Sequence, residues 1–322
     1  MFFFLHVYVK IRLGDYMKHT PKEEFEDEYV YEDEEEEEPK KKHKKHTGLK
    51  IFLFLFLTGL ILIMYSRYPG ITGFQIHEYN VVNKNVPSSF YGYKIMHISD
   101  IHYKVTTTKE ELKSIVKEIN KTKPDVVVFT GDLLDTSITY NNNDIKDLYD
   151  LLNSINSTYK YIVTGDEDTS AEYNEILSKL NYKMLDNTYD IIYNNSYDSL
   201  LIGGISSKKD KTNINEKIET ILLAQEEYHP SYSVLLMHEP SNVSDITPTD
   251  FDLILAGHTL NGQINIPGVK KLLIPSPDTK YSETHYKFDK TDMFISPGVG
   301  NNLIKARLFN KPSTNLYRLL DK

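Results

Sequence analysis

The sequence of 322 residues contains neither cysteine nor tryptophan. Without cysteine the chain has no disulfide framework and no thiolate ligand for a metal, and it can fold on either side of a membrane. A surplus of positive charge is also missing, because residues 71–322 carry 33 acidic and 26 basic side chains. Such a body has no general attraction for nucleic acid, so no nucleic-acid partner is expected.

One long apolar run is present near the amino terminus. Residues 51–65 read IFLFLFLTGLILIMY without a charge. With Leu49 and Lys50 the run reaches the lower end of the roughly 17–25 residues that span a bilayer, which predicts a transmembrane helix over residues 49–67. A cleaved signal peptide is less favoured because residues 65–69 offer no pair of small residues for cleavage. A core helix is less favoured beside so basic a flank.

The charges around this run predict its orientation. A basic block occupies residues 40–45, whereas Arg67 is the only nearby cation behind the run. The positive-inside rule then places the amino terminus in the cytoplasm and the residues from about 70 onward outside it. We therefore expect a single-pass protein of the cell membrane.

Residues 1–48 are expected to form a disordered, charged cytoplasmic tail. Twelve acidic side chains between residues 23 and 38 repel one another, and the lysines that follow either fold back on them, lie on anionic lipid headgroups or are simply solvated. Residues 1–16 do not fit this arrangement, and our hypothesis is that Met17 rather than Met1 is the true start. Peptides from residues 1–16 in mass spectrometry of the native amino terminus would contradict that hypothesis.

Residues 70–322 are expected to form one mixed α/β domain. Residues 74–80 alternate apolar and polar side chains as a half-buried strand does, and residues 109–122 have helical spacing. The domain contains both buried strands and helices, with several strands in succession towards its end. Further strands are predicted at residues 94–99, 125–130, 161–164, 190–193, 199–205, 233–237, 252–256, 263–266, 293–296 and 315–320, and further helices at 144–153, 171–180 and 216–227.

Several of the apolar runs end at a residue that can bind a metal. An Asp or His at the carboxyl end of a strand lies where α/β proteins present their ligands, and both residue types suit hard or borderline divalent metals. A single strand-end Asp is more often a helix cap or a turn residue. The ordered set is more specific than any of its members and predicts a metal site. The motifs are Asp100-Ile-His102, Gly131-Asp132-Leu-Leu-Asp135, Gly165-Asp166-Glu167-Asp168, His238 and Gly257-His258-Thr259-Leu260.

This set resembles the calcineurin-like metallophosphoesterases, and in particular their bacterial branch with a single membrane span. The likeness covers about residues 72–320 and includes the segment Ile295-Ser-Pro-Gly-Val-Gly300 followed by Arg307. It implies a four-layer αββα sandwich preceded by one transmembrane helix. It also implies hydrolysis of a phosphomono- or diester by metal-activated water, with up to two divalent ions of Mn, Fe, Zn or Mg. In the implied ligand set Asp100 and His102 hold one metal, Asp132 bridges both, and Asp166, His238 and His258 hold the second.

Two motifs depart from the family pattern. In the third motif Asp166 replaces the Asn of Gly-Asn-His, which keeps an oxygen ligand and adds negative charge that is expected to tighten cation binding. Glu167 stands where the family has the His of Gly-Asn-His, which stabilises the transition state and can protonate the leaving oxygen. Glu167 could replace that His only if burial or its acidic neighbours kept it protonated. Leu260 replaces the second His of Gly-His-Thr-His, so the first metal keeps three ligands and is expected to bind more weakly.

Three functions remain open from the sequence. The first is a working phosphoesterase with one firm and one loose metal, and the second is an inactive relative that binds metal, ligand or partner protein at the cell surface. The third is other hydrolytic chemistry at the same site. An outward-facing site close to the bilayer favours a phosphoester on lipid or a cell-wall polymer as substrate, whereas the reverse orientation would allow cytoplasmic nucleotides.

Several other residues are weaker candidates. Asp135 either orients the region of Asp132 or caps a turn. Asn301 and Asn302 are expected in a turn near the cleft, and His77 and His97 are expected to be structural. A loop role facing membrane or substrate is considered for Tyr281, His285 and Tyr286.

Overall fold

The computed structural model describes residues 47–268, 271, 274, 278–302 and 304–321. The expectations for a disordered tail, for a start at Met17 and for the basic block therefore lie outside the described residues, apart from the last two residues of the expected tail. The first described element is helix α1, Thr47–Arg67, which begins two residues before the expected span. It is long and apolar enough to cross a membrane by length and composition, and most of its large apolar side chains are exposed.

Within the described residues, twelve strands form two mixed six-stranded sheets. The first sheet has the order β1-β12-β2-β3-β4-β5, with β12 antiparallel to β2 and the remaining pairs parallel. The second sheet has the order β10-β11-β9-β8-β7-β6, with antiparallel strands at its two edges. The strands are β1 Gln75–Val82, β2 Lys94–Ile98, β3 Val126–Thr130, β4 Tyr159–Val163, β5 Lys183–Met184, β6 Thr188–Tyr193, β7 Ser199–Gly204, β8 Tyr232–Leu236, β9 Leu253–Ala256, β10 His285–Phe288, β11 Thr291–Ile295 and β12 Ser313–Leu320.

Four helices cover the outer faces of the two sheets. Helices α2 Lys109–Thr122, α3 Asn142–Asn153 and α4 Ala171–Lys179 pack on the first sheet, and α5 Ile214–Tyr228 packs on the second. Between the sheets lies a third apolar layer that includes Val128. The fold is thus the expected mixed α/β sandwich with the layers helix, sheet, sheet and helix.

Helix α2 illustrates how local sequence sets these elements. Thr108 accepts a hydrogen bond from the backbone N–H of Glu111, and the Glu111 carboxylate accepts one from the N–H of Thr108, which is a complete capping box. The helix buries Leu112, Ile115 and Ile119 along one face, as their spacing predicts.

Two expectations about the later part of the chain are wrong. Residues 263–266 form only an isolated bridge between Ile264 and Leu308 instead of a strand. His285 and Tyr286 belong to the edge strand β10 rather than to a loop. Strand β10 was missed because it has only four residues, a short window for the alternation of polar and aromatic side chains that it shows.

Candidate metal centre

Six side chains that can bind metal meet where five strands end. Strands β2, β3 and β4 belong to the first sheet, while β8 and β9 belong to the second, so loops from both sheets contribute. Five of the six side chains are buried, and Asp166 is partly exposed at the opening of the site. The six are Asp100 and His102 after β2, Asp132 after β3, Asp166 after β4, His238 after β8 and His258 after β9.

The backbone turns sharply at these positions. Four of the ligand residues have a positive φ, a conformation that non-glycine residues seldom adopt and that functional sites often retain. At Gly131 a side chain is excluded, since a Cβ atom there would lie 2.6 Å from Nδ1 of His238. The loops from the two sheets therefore approach each other as closely as the backbone allows. The four φ values are 52° at Asp100, 45° at His102, 57° at Asp132 and 68° at His258.

Asp100, His102 and Asp132 form the first ligand group, with one donor atom from each lying within 4.8 Å of the others. Nε2 of His102 is 3.6 Å from Oδ2 of Asp132, and Nδ1 is 3.2 Å from Oδ2 of Asp135. Neither ring nitrogen of His102 has an aligned hydrogen-bond partner among the described residues. Because the ring is buried, these contacts leave its polar atoms dependent on a charged neighbour or a cation.

Asp132, Asp166, His238 and His258 form the second ligand group, again with donor atoms within 4.8 Å of one another. Nε2 of His238 lies 3.3 Å from Oδ2 of Asp132 and 3.1 Å from Oδ1 of Asp166. Nδ1 of His258 lies 3.2 Å from that same Oδ1 and 3.1 Å from Nε2 of His238. The other nitrogen of His238 is 2.7 Å from the carbonyl oxygen of Thr130. A proton on that nitrogen would donate to Thr130 and leave Nε2 free to bind a cation.

The electrostatics of the two groups fit a bound cation. Burial opposes protonation of His102, but Asp135, Asp132 and Asp100 outweigh it and raise the pKa of His102 to about 9. Burial also opposes protonation of His238 and His258, yet Asp132 and Asp166 raise both of their pKa values. The buried carboxylates thus favour a positive charge on all three imidazoles, although burial opposes it. A divalent ion meets the same demand, and oxygen and imidazole donors suit it.

The loop after β11 closes over the first ligand group. The buried guanidinium of Arg307 donates hydrogen bonds to the carbonyl oxygens of Pro297 at 2.9 Å and of Gly298 at 3.0 Å. The N–H of Gly300 donates to the carbonyl oxygen of Asp100 at 2.6 Å. Burial lowers the pKa of Arg307 to about 10, so the side chain is still a cation at neutral pH. Arg307 therefore fixes this loop through carbonyl oxygens rather than through a carboxylate.

The two departures from the family pattern have defined surroundings. The carboxylate of Glu167 accepts hydrogen bonds from the N–H of Thr136 at 3.1 Å and from its hydroxyl, and lies 3.6 Å from Nζ of Lys209. Its role as an acid stays a prediction. The buried side chain of Leu260 stands close to Gly298 and Asp100, where it offers no donor atom.

Two further buried carboxylates, which were not predicted to act as ligands, contact the loops or side chains of the ligand groups. Asp168 accepts hydrogen bonds from the N–H groups of Asp132, Leu133, Leu134 and Gly165. Burial and the charge of Asp132 raise the pKa of Asp168 to about 7, while those N–H donors oppose the shift. The position of Asp168 inside the third motif was the available signal.

Asp278 is the second of these carboxylates. Its Oδ1 accepts the N–H of Ser241 at 2.6 Å, while Oδ2 lies 3.6 Å from Nε2 of His258 without a hydrogen-bond partner among the described residues. Among the described residues no strand directly precedes Asp278, and nothing in its local sequence indicated its position.

Some of the weaker candidates contact a member of the ligand groups, and others belong to the structure around the site. Asp135 caps a turn, since Oδ1 accepts the N–H of Ser137 at 2.9 Å, and its Oδ2 faces His102 rather than Asp132. Asn301 binds Nε of Arg307 at 3.2 Å, which is a structural contact. His97 lies beneath the site and contacts the hydroxyl of Thr130 at 2.8 Å, as expected of a structural histidine.

The chain is similar to known proteins over most of its length. A family model described as calcineurin-like phosphoesterase matches residues 93–262. The chain is 27% identical over 268 residues to the uncharacterized metallophosphoesterase YkuE of Bacillus subtilis, covering 79% of this chain and 88% of that protein. It is 23% identical to a transmembrane protein with metallophosphoesterase domain of Danio rerio, covering 78% of this chain and 58% of that protein. It is 23% identical to the phosphodiesterase YaeI of Escherichia coli, covering 71% and 82% respectively.

Proposed function

Because the chain belongs to the family of calcineurin-like phosphoesterases, we propose that it is a metal-dependent hydrolase of a phosphoester, with a diester as the favoured substrate. The observation that carries this proposal is the convergence of six donor side chains at one largely buried site. The similarity to a protein named as a phosphodiesterase supports the choice of a diester.

The chain's own residues would hold and orient two divalent ions. Asp100, His102 and Asp132 would hold one ion, and the four members of the second ligand group would hold the other. When bound, such ions supply Lewis-acid stabilisation of the charge that develops on the phosphoryl oxygens and lower the pKa of water. The contact of His238 with Thr130 keeps its ring turned towards the ligand group, and the buried loops limit access of water.

An inactive binding protein is the second candidate function. It is favoured by the apolar side chain at Leu260, which removes a donor from the first ligand group, and by the engaged carboxylate of Glu167. Such a protein would keep the second ligand group and bind metal without turnover.

We propose further that α1 anchors the chain in a membrane and that the domain lies outside the cytoplasm. The exposed apolar side chains of α1 and the relative named as a transmembrane protein support the anchor. The orientation rests on the basic block at residues 40–45, which lies outside the described part of the chain. The substrate is then a phosphoester linked to lipid or to a cell-wall polymer.

Metal content and activity measured on one sample test the function. The full chain in detergent would be analysed for bound metals and assayed on bis(p-nitrophenyl) phosphate with added Mn²⁺. We expect near-stoichiometric metal and turnover that falls at least about a thousandfold in Asp132→Ala, because that change removes a ligand from both groups. Asp198→Ala, in the turn between β6 and β7, is the control. Metal binding without turnover over a broad substrate panel would favour the binding protein.

The absence of cysteine makes the orientation directly testable. Tyr197 is fully exposed in the turn between β6 and β7, so Tyr197→Cys would place a single thiol on the domain surface. We expect a membrane-impermeant maleimide to label this thiol in intact cells. Labelling only after the cells are opened would reverse the orientation.

A further inference from the structure

A single lysine stands at the opening of the metal centre. Nζ of Lys209 lies 3.6 Å from Oδ2 of Asp166 and 3.6 Å from Oε1 of Glu167, and its side chain is 50% exposed. Within the described part of the chain, no other lysine or arginine forms an ion pair with Glu167 or with a carboxylate of either ligand group. Among the described residues, Lys209 is therefore the one ammonium group that is paired with the carboxylates at the opening.

The loop that carries Lys209 is fixed to the residue that follows a ligand. Oε1 of Glu239 accepts hydrogen bonds from the hydroxyl of Ser207 at 2.6 Å and from the N–H of Lys208 at 2.9 Å. Glu239 is buried and directly follows His238 in the chain. The position of Lys209 relative to the metal centre is thus set by one shared carboxylate and not by the length of a free loop.

A buried lysine holds the same loop from the other side. Lys217 in α5 is only 3% exposed, and its ammonium group donates to the carbonyl oxygens of Ser206 at 3.2 Å and Ser207 at 2.7 Å. Asp210 accepts the hydroxyl of Ser206 at 2.6 Å, and its N–H donates to the carbonyl oxygen of Ser207. The ammonium group of Lys217 thus holds the loop through two carbonyl oxygens, close to the point where Lys209 begins.

A cavity of about 250 Å³ adjoins Lys209 on the side of the third motif. The carboxylates of Asp186 and Asp210 line it beside short polar side chains, and most of its surface is apolar. Its lining includes Gly165, Thr164, Asn187, Ser206 and Lys209. The lysine thus borders both the ligand groups and a space beside them.

We propose that Lys209 binds phosphoryl oxygens of the substrate at the opening of the metal centre. Asp166 and Glu167 orient its ammonium group, and an anionic phosphoryl group that approaches these carboxylates needs a compensating positive charge. The inference rests on the proposed function, since it names a substrate-binding residue for that reaction. The competing role for Lys209 is to neutralise excess negative charge without contacting substrate.

Paired variants of the full chain in detergent, saturated with Mn²⁺, separate these roles. Lys209→Met removes the charge, Lys209→Arg keeps it, and Lys211→Met is a matched control at an exposed lysine two residues away. Inorganic phosphate binding by calorimetry, metal content, and KM and kcat on bis(p-nitrophenyl) phosphate would be measured. We expect Lys209→Met to weaken phosphate binding and raise KM about tenfold, with a smaller change in kcat, since hydrogen bonds to charged groups are among the stronger ones.

We expect Lys209→Arg to recover most of both losses and Lys211→Met to match the wild type. Unchanged phosphate affinity and KM in Lys209→Met would overturn the proposal, and tighter metal binding in that variant would assign Lys209 the neutralising role. If the wild type binds phosphate but turns over no substrate, the hydrolase fails while weaker phosphate binding in Lys209→Met still supports the site. If the metal-loaded wild type hydrolyses the diester and Lys209→Met matches it in KM and phosphate affinity, the hydrolase stands and this proposal fails.

Discussion

The two ligand groups differ in which sheets build them. The first group takes Asp100, His102 and Asp132 from loops of the first sheet alone, whereas the second group adds His238 and His258 from the second sheet. A metal in the second group would therefore tie the two sheets together, while one in the first group would touch only one sheet. The difference shows that one residue can determine whether the ligands of a metal site come from both sheets or from one sheet only.

The residue responsible is Leu260, which follows His258 by two positions. It is buried beside Asp100 and Gly298 and belongs to the loop after β9 of the second sheet. A donor there would give the first group a ligand from the second sheet. The three-donor group is thus expected to bind metal more weakly than the four-donor group.

We expect the largest change in the metal affinity of each group when the carboxylate that faces one of its histidines is removed. Asp135 faces His102 of the first group, and Asp278 faces His258 of the second. We expect Asp135→Asn to weaken metal binding in the first group and Asp278→Asn in the second, each by about 10–100-fold, because such carboxylates orient ligating histidines. Calorimetric titration of the metal-free protein with Mn²⁺ would resolve the two affinities. Equal loss at both sites in either variant would contradict this assignment.

Restoring a donor should reduce the difference between the groups. Leu260→His places an imidazole beside Asp100, and we expect the weaker Mn²⁺ affinity to rise about tenfold, equivalent to about 1.4 kcal/mol. Leu260→Met is the control, since it keeps the apolar volume without a good ligand for Mn²⁺. A weaker site that responds alike to His and Met would show that it is not the first ligand group.

The histidine beneath the site should respond to pH in a metal-independent way. Burial lowers the pKa of His97 to about 3, below the ordinary value of about 6.5, so the folded state binds its proton less readily than the unfolded state. This contribution to stability is present above pH 6.5 and is lost as the pH falls towards 3, by up to about 1.4 kcal/mol per pH unit. We expect urea denaturation in EDTA to show a shallower acid loss for His97→Gln than for the wild type. His285→Gln, on the exposed strand β10, should follow the wild type.

The smallest effect is expected at Glu167. If its carboxylate only accepts hydrogen bonds from Thr136 and orients Lys209, Glu167→Gln should lower kcat by a few-fold, since each such contact at an exposed position is weak. An acid catalyst at this position would instead lose about a hundredfold or more. Single-turnover kinetics on bis(p-nitrophenyl) phosphate distinguishes the two results.

The sequence pattern predicted the strands and the strand-end residues, because these depend on a few neighbouring residues. The runs ending at Asp100, Asp132 and His258 were recognised because buried strands are short, apolar and followed by a turn, and the structure brings those residues together. Asp278 and Lys209 were missed because their positions depend on contacts with Ser241 and Glu239, which are remote in sequence. No periodicity within a short window contains that information.

The place of β12 has a consequence for how the chain is made. This last strand lies between β1 and β2, so that Asn315 pairs with His97 across more than 200 residues of sequence. Until β12 has been synthesised, β1 and β2 have unpaired edges with which strands of other chains can pair. The loop that closes over Asp100 directly precedes β12, so synthesis must have passed this loop before the first ligand group is enclosed. Folding of this half is therefore expected to be slow, because it depends on pairing between strands that lie far apart in the sequence.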